Sequence, residues 1–110
     1  MPFLTLAILN EQRYHAKVIR NFADPDTETL WLTGKSRRIP GNLRLSALRK
    51  LSVLDSAEAL ADLTEPPGNR LEALTRDRKG QHSIRINNQF RLCFQLRQGH
   101  AYEVEIVDYH

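Results

Sequence analysis

At 110 residues, 41% hydrophobic and 26% charged, the chain has the size and composition of one soluble domain with a single core. Its one cysteine, Cys93, excludes an internal disulfide and no Cys/His spacing of the zinc type occurs, so neither a metal nor a cofactor is expected. The net charge of +3 is modest, but the basic residues are concentrated in two stretches.

Residues 1–9 are apolar, yet they lack a basic leader region and a small-residue cleavage signal, and they are too short to span a bilayer. A cytoplasmic protein with no membrane association is expected. Residues 19–22 read as a first strand. Asp24 can then cap a helix with Pro25 at its first position, Asp26 and Glu28 in the first turn where the dipole favours acids, Leu30 and Trp31 as its packing side, and Gly34 as its end.

The first basic stretch, residues 35–54, holds Lys35, Arg37, Arg38, Arg44, Arg49 and Lys50 and no acidic residue. A helix starting at residues 40–42 would bury Leu43, Ala47, Leu51 and Leu54 along one stripe and leave Arg49 and Lys50 off it. That basic face is either solvated or turned to RNA or a protein partner. Asp55 or Ser56 can cap a short acidic helix over residues 57–63, and residues 64–69 form a Pro- and Gly-bearing connection.

The second basic stretch, residues 70–97, sets Arg70, Arg76, Arg78, Lys79, Arg85, Arg91 and Arg97 against only Glu72 and Asp77. A surface of that kind suits a phosphate backbone, with binding that weakens as salt rises. From Gly80 onward the chain reads as three β-type runs broken at Asn87-Asn88 and Gln98-Gly99, where residues that tolerate positive φ can close hairpins into an antiparallel meander. Side chains alternate along a strand. Phe90, Leu92, Phe94 and Leu96 fall on one face, as do Ile84 with Ile86 and Tyr102 with Val104 and Ile106; Cys93 reads as a strand residue of the other face.

That other face should be wet and carry Ser83, Arg85, Arg91, Gln95, Arg97, Glu103, Glu105 and Tyr109, so a substitution at Arg91 should change stability by less than about 0.5 kcal/mol. Asp108 and His110 have the opposite parity but end the chain, which leaves their direction open. With helices before the meander, the fold class is α+β: N-terminal helices packed on a small, mainly antiparallel β-sheet.

Four segments together, IRNF, PPGNRLEAL, SIRINNQFRLCF and the terminal EVEIVDYH, resemble HigB-type toxins of the RelE/ParE superfamily over residues 18–110. The resemblance implies a RelE-like toxin domain at 18–110 behind an N-terminal extension at 1–17. It also implies a ribosome-dependent, metal-independent endoribonuclease that cuts messenger RNA and so inhibits translation. The partners it implies are a helix-turn-helix antitoxin of HigA type, mRNA on the ribosome, and operator DNA only through the antitoxin complex.

Cleavage of this kind needs the ribose 2′-OH to attack phosphorus, with a base, an acid and cations for the phosphorane charge. By resemblance Arg85 and Arg91 serve the phosphate, Asp108 the base, His110 proton transfer near neutral pH, and Tyr109 a hydrogen bond or a base stack. Some HigB-type sequences carry His and Lys where this chain has Glu72 and Thr75. Glu72 would then replace the imidazole, and Arg76, Arg78 or Lys79 the missing cation, with Arg97, Arg49 and Lys50 as further RNA contacts. The alternative is a non-catalytic binder of the same fold, either a gyrase-directed toxin or an antitoxin-bound co-repressor.

Overall fold

The chain from Pro25 opens with a helix whose start and stop are both local. In the computed structural model, which describes residues 18–109, Asp24 accepts the amides of Asp26 and Thr27 at 3.2 Å each and starts α1 (Pro25–Thr33). Gly34, at φ 78, ends it by donating its amide to Leu30 O at 2.8 Å. The proposed extension at 1–17 and His110 lie outside the described residues.

The second helix, α2 (Gly41–Ser56), buries Ala47, Leu51 and Leu54 completely, along the expected stripe. It runs through the residues expected to cap a further helix. Asp55 instead accepts the Ile19 amide at 3.1 Å, and residues 57–63 do not form an α-helix. The reason is Asp62, whose carboxylate takes the amides of Glu58 and Ala59 and leaves one 3₁₀ turn over Leu60–Thr64. A second such turn, Pro67–Asn69, completes the connection.

Four antiparallel strands follow in the order β1 (Glu72–Ala73), β2 (His82–Arg85), β3 (Phe90–Arg97) and β4 (His100–Asp108). Residues 19–22, expected as a strand, run parallel to the outer edge of β4 and bridge it at Ile19–Ala101 and Phe22–Val104. The core lies between the helices and one sheet face, where Ile84, Phe90, Leu92, Phe94, Val104 and Ile106 meet Leu30, Ala47, Leu51 and Leu54. No helix among the described residues is long and apolar enough to cross a membrane.

Three sequence expectations need correction. The second sheet face is not wet along its length: Ser83 and Cys93 are fully buried and Arg91 is only 9% exposed. The short strand β1 puts Glu72 beside Ser83, and Leu74, two residues on and hence on the same side, is buried outside the main core. Tyr102 does not share the face of Val104 and Ile106. The β3–β4 register shifts between Cys93 and Gln95, Glu103 adopts φ 55, and this bulge returns Tyr102 to the face of Gln95 and Arg97.

Finally, only one of the two hairpins turns by positive φ, at Gln98 (φ 51) and Gly99 (φ 79). The other turns on the Asn87 side chain, which accepts the amides of Gln89 and Phe90 at 2.9 and 2.7 Å.

Candidate active site

At the closed end of the β2–β3 hairpin, Arg85 and Arg91 are direct cross-strand partners. Like charges at paired positions repel and cost stability, so the pair needs a reason other than folding. The two guanidinium groups are held differently. Arg91 lies along the sheet, its Nε donating to Ser83 Oγ at 2.7 Å and its Nη2 to Arg70 O at 2.5 Å and Ser83 O at 3.3 Å. Glu72 Oε1 stands 3.9 Å from the same Nη2. The Arg91 Nη1 has no hydrogen-bond partner among the described residues and is not sealed from solvent. Arg85 is half-buried and donates from Nη2 to Asn88 Oδ1.

The connection before β1 supplies the other wall. Asn69, fully buried, donates to Leu63 O and Glu65 O at 3.1 Å each and accepts from Lys50 Nζ at 2.5 Å. It thereby ties the Pro67–Asn69 turn to α2. Arg70 follows in a left-handed conformation (φ 46), and its carbonyl meets Arg91. Lys50 is drawn under the site: burial, with the Arg85 charge added, lowers its pKa from the usual lysine value.

These elements enclose a cleft of about 560 Å³ lined by Gly68, Arg70, Glu72, Arg85, Asn87, Asn88, Arg91 and Tyr109. Among the described residues three arginines against one carboxylate line it, a balance that favours anions. A planar ring and two amide side chains beside them suit a nucleotide better than a bare ion.

Of the residues expected to carry chemistry, Arg85, Arg91, Glu72 and Tyr109 meet in this cleft. Asp108 does not line it; its carboxylate accepts from Gln89 Nε2 at 3.0 Å at the strand end. His110 lies outside the described residues. Arg97 is six residues along β3 from Arg91, about 20 Å away, with its guanidinium 4.1 Å from the Tyr102 ring centre. Arg78 pairs with Glu105 at 3.1 Å, while Arg76, Lys79 and Arg49 are exposed and do not line the cleft.

Cys93 is a packing residue, its thiol pushed up by burial. Sequence reasoning missed Asn69 as the loop anchor and Ser83 as the Arg91 acceptor. The first had a signal, an asparagine closing a Pro-Pro-Gly turn, whereas the second depends on burial that no local pattern reveals.

A family model described as the RelE-like toxin of type II toxin-antitoxin system HigB matches residues 20–110. Toxin HigB-1 of Vibrio cholerae serotype O1 is 48% identical over 67 residues, which is 61% of this chain and 70% of that protein. An uncharacterised protein of Haemophilus influenzae is 40% identical over 58 residues, 53% of this chain and 57% of its own length.

Proposed function

The chain belongs to the HigB family of RelE-like toxins of type II toxin-antitoxin systems, and so has an antitoxin as partner; on that premise we propose that it is a ribosome-dependent mRNA endoribonuclease. The observation that carries the reading is the convergence of Arg70, Arg85 and Arg91 with Glu72 and Tyr109 around one nucleotide-sized cleft. The antitoxin is a HigA-like helix-turn-helix protein in this account, and operator DNA is reached only through it.

The chemistry is an in-line transfer. The 2′-oxygen bonds to phosphorus, the bond to the 5′-oxygen breaks, and the products are a 2′,3′-cyclic phosphate and a free 5′-OH. Arg85 and the open Nη1 of Arg91 face the phosphoryl oxygens and stabilise the charge that grows on them. The fixed bonds of Arg91 to Ser83 and Arg70 mean that it does not reorganise during the reaction.

Among the carboxylates of the described residues Glu72 is the one that lines the cleft, and we assign it the 2′-OH proton, with Arg91 3.9 Å away to orient it. Tyr109 stacks on or hydrogen-bonds to the substrate, and the terminal His110 delivers the proton to the leaving oxygen, while Asp108, outside the cleft on Gln89, takes no direct part. The positive charge is supplied by side chains, so the step is written without a metal.

Incubation of the purified toxin with labelled mRNA, free or on programmed ribosomes, tests this. Cuts ending in 2′,3′-cyclic phosphate only on ribosome-bound message are expected. Intact message in both, with inhibited DNA gyrase, would favour the non-catalytic reading.

A further inference from the structure

Along its outer edge β4 exchanges backbone bonds with residues 18–23 as far as Val104, whose carbonyl accepts the Ala23 amide at 3.0 Å. At Ile106 that edge is completed by side chains. Thr27 Oγ1 accepts the Ile106 amide at 3.0 Å, and Arg38 Nη2 donates to the Ile106 carbonyl at 2.9 Å. Both side chains end on the same oxygen: Asp24 Oδ2 accepts from Thr27 Oγ1 at 2.6 Å and from Arg38 Nη2 at 2.5 Å. Thr27 is fully buried, and Arg38 Nε is a further 3.7 Å from Asp26.

One carboxylate thus starts α1, orients a hydroxyl and an arginine, and through them grips a strand 79 residues away. A helix cap alone needs neither the hydroxyl nor the arginine. Three residues beyond Ile106 stands Tyr109 in the cleft, its amide held from the inner side by Gln89 O at 2.7 Å.

We propose that Asp24, Thr27 and Arg38 are positioning residues: a clamp on Ile106 that fixes the C-terminal tail, and so Tyr109, over the arginine cleft. The proposal rests on reading that cleft as the RNA-cleaving site. Loss of this outer grip would loosen the strand end from which Tyr109 follows, and misplacement by about 1 Å is enough to cost a large factor in rate.

The test uses the full chain, with Thr27→Val, which keeps shape but not the acceptor, and the pair Arg38→Gln and Arg38→Lys. Single-turnover cleavage by Thr27→Val should slow by at least about tenfold with binding to ribosomes unchanged. In a Tyr109→Ala background the same change should cost a clearly smaller factor than in the wild type, because Tyr109 is gone and only the rest of the tail is still acted upon. Arg38→Lys, which keeps a donor, should recover most of the rate lost in Arg38→Gln.

Losses that multiply in full in the Tyr109→Ala background would show a general structural role and overturn the proposal. Hydrogen exchange separates this failure from failure of the functional reading. The Tyr109 amide should exchange at least about tenfold faster in Thr27→Val, with the Leu92 and Phe94 amides unchanged. An unchanged Tyr109 amide overturns the clamp whatever the RNA does. A wild-type toxin that cuts no RNA overturns the catalytic reading, and a faster Tyr109 amide then still supports the clamp.

Discussion

Arg91 does two things that a single substitution cannot separate cleanly. It lines the cleft, and its Nε and Nη2 donors satisfy Ser83 and the Arg70 carbonyl on a covered face. Arg91→Ala therefore orphans buried acceptors, and we expect a loss of roughly 1–3 kcal/mol, read as a lower urea midpoint at constant slope. An unchanged midpoint would return Arg91 to the surface role its strand parity predicts. Asp24 gives a pH signature. Burial works against its charge, but hydrogen bonds from Thr27, Arg38 and the Asp26 amide, with the Arg38 charge, outweigh that and hold the carboxyl below the usual 3.8. With the folded value the lower, its contribution is full above about pH 3.8 and is lost as pH falls through the folded value. Asp24→Asn should be less stable near neutrality and should lose less stability on acidification below that pH. Parallel stability curves for the two proteins would contradict this. Asp24 was legible as a cap because its signals are local, an acid followed by Pro25. Its grip on Ile106 was not, because Thr27 and Arg38 are ordinary residues until the fold brings β4 against them.

The helices were legible for the same reason: caps, a proline at the first position and an apolar stripe lie within a few residues of one another. The apolar row of β3 was legible by its period of two, and so was the Gln98-Gly99 turn. What escaped is set by partners distant in sequence. The two-residue strand β1 has too little length to show a pattern, and it becomes a strand only by pairing with β2. The β4 bulge is stabilised from 82 residues away, where Asn21 Oδ1 accepts the Glu103 amide at 2.6 Å. Strict alternation would put Tyr102 inside; the bulge places it under Arg97 instead. This has a consequence opposite to strand propensity. At φ 55, Glu103→Gly should be neutral or stabilising by up to about 1 kcal/mol, whereas Glu103→Val, a better strand former, should cost about 1–2 kcal/mol. Thermal unfolding of the two variants decides between the bulge and a regular strand.

At the scale of the whole molecule, the site is assembled from three directions at one end of the sheet. The hairpin presents Arg85 and Arg91, the connection anchored by Asn69 on Lys50 presents Arg70 and Glu72, and the end of β4 presents Tyr109. The arginines, Glu72 and the tail residues could be singled out from the sequence, but not how the connection closes on the other two directions, because it is a loop that has no regular pattern. The arrangement concentrates positive charge where folding alone would disperse it, and the opposed Arg85–Arg91 pair is its clearest sign. The most direct measurement is induced expression followed by mapping of transcript 5′ ends, wild type against Arg85→Ala, at equal amounts of folded protein. Arg85 is the side chain to change because it lines the cleft yet, among the described residues, makes only the side-chain bond to Asn88. The account predicts growth arrest with new ends inside reading frames for the wild type, and loss of both in Arg85→Ala, by about 10²-fold or more in cleavage. Arg85→Ala that arrests growth and produces the same ends as the wild type would contradict it.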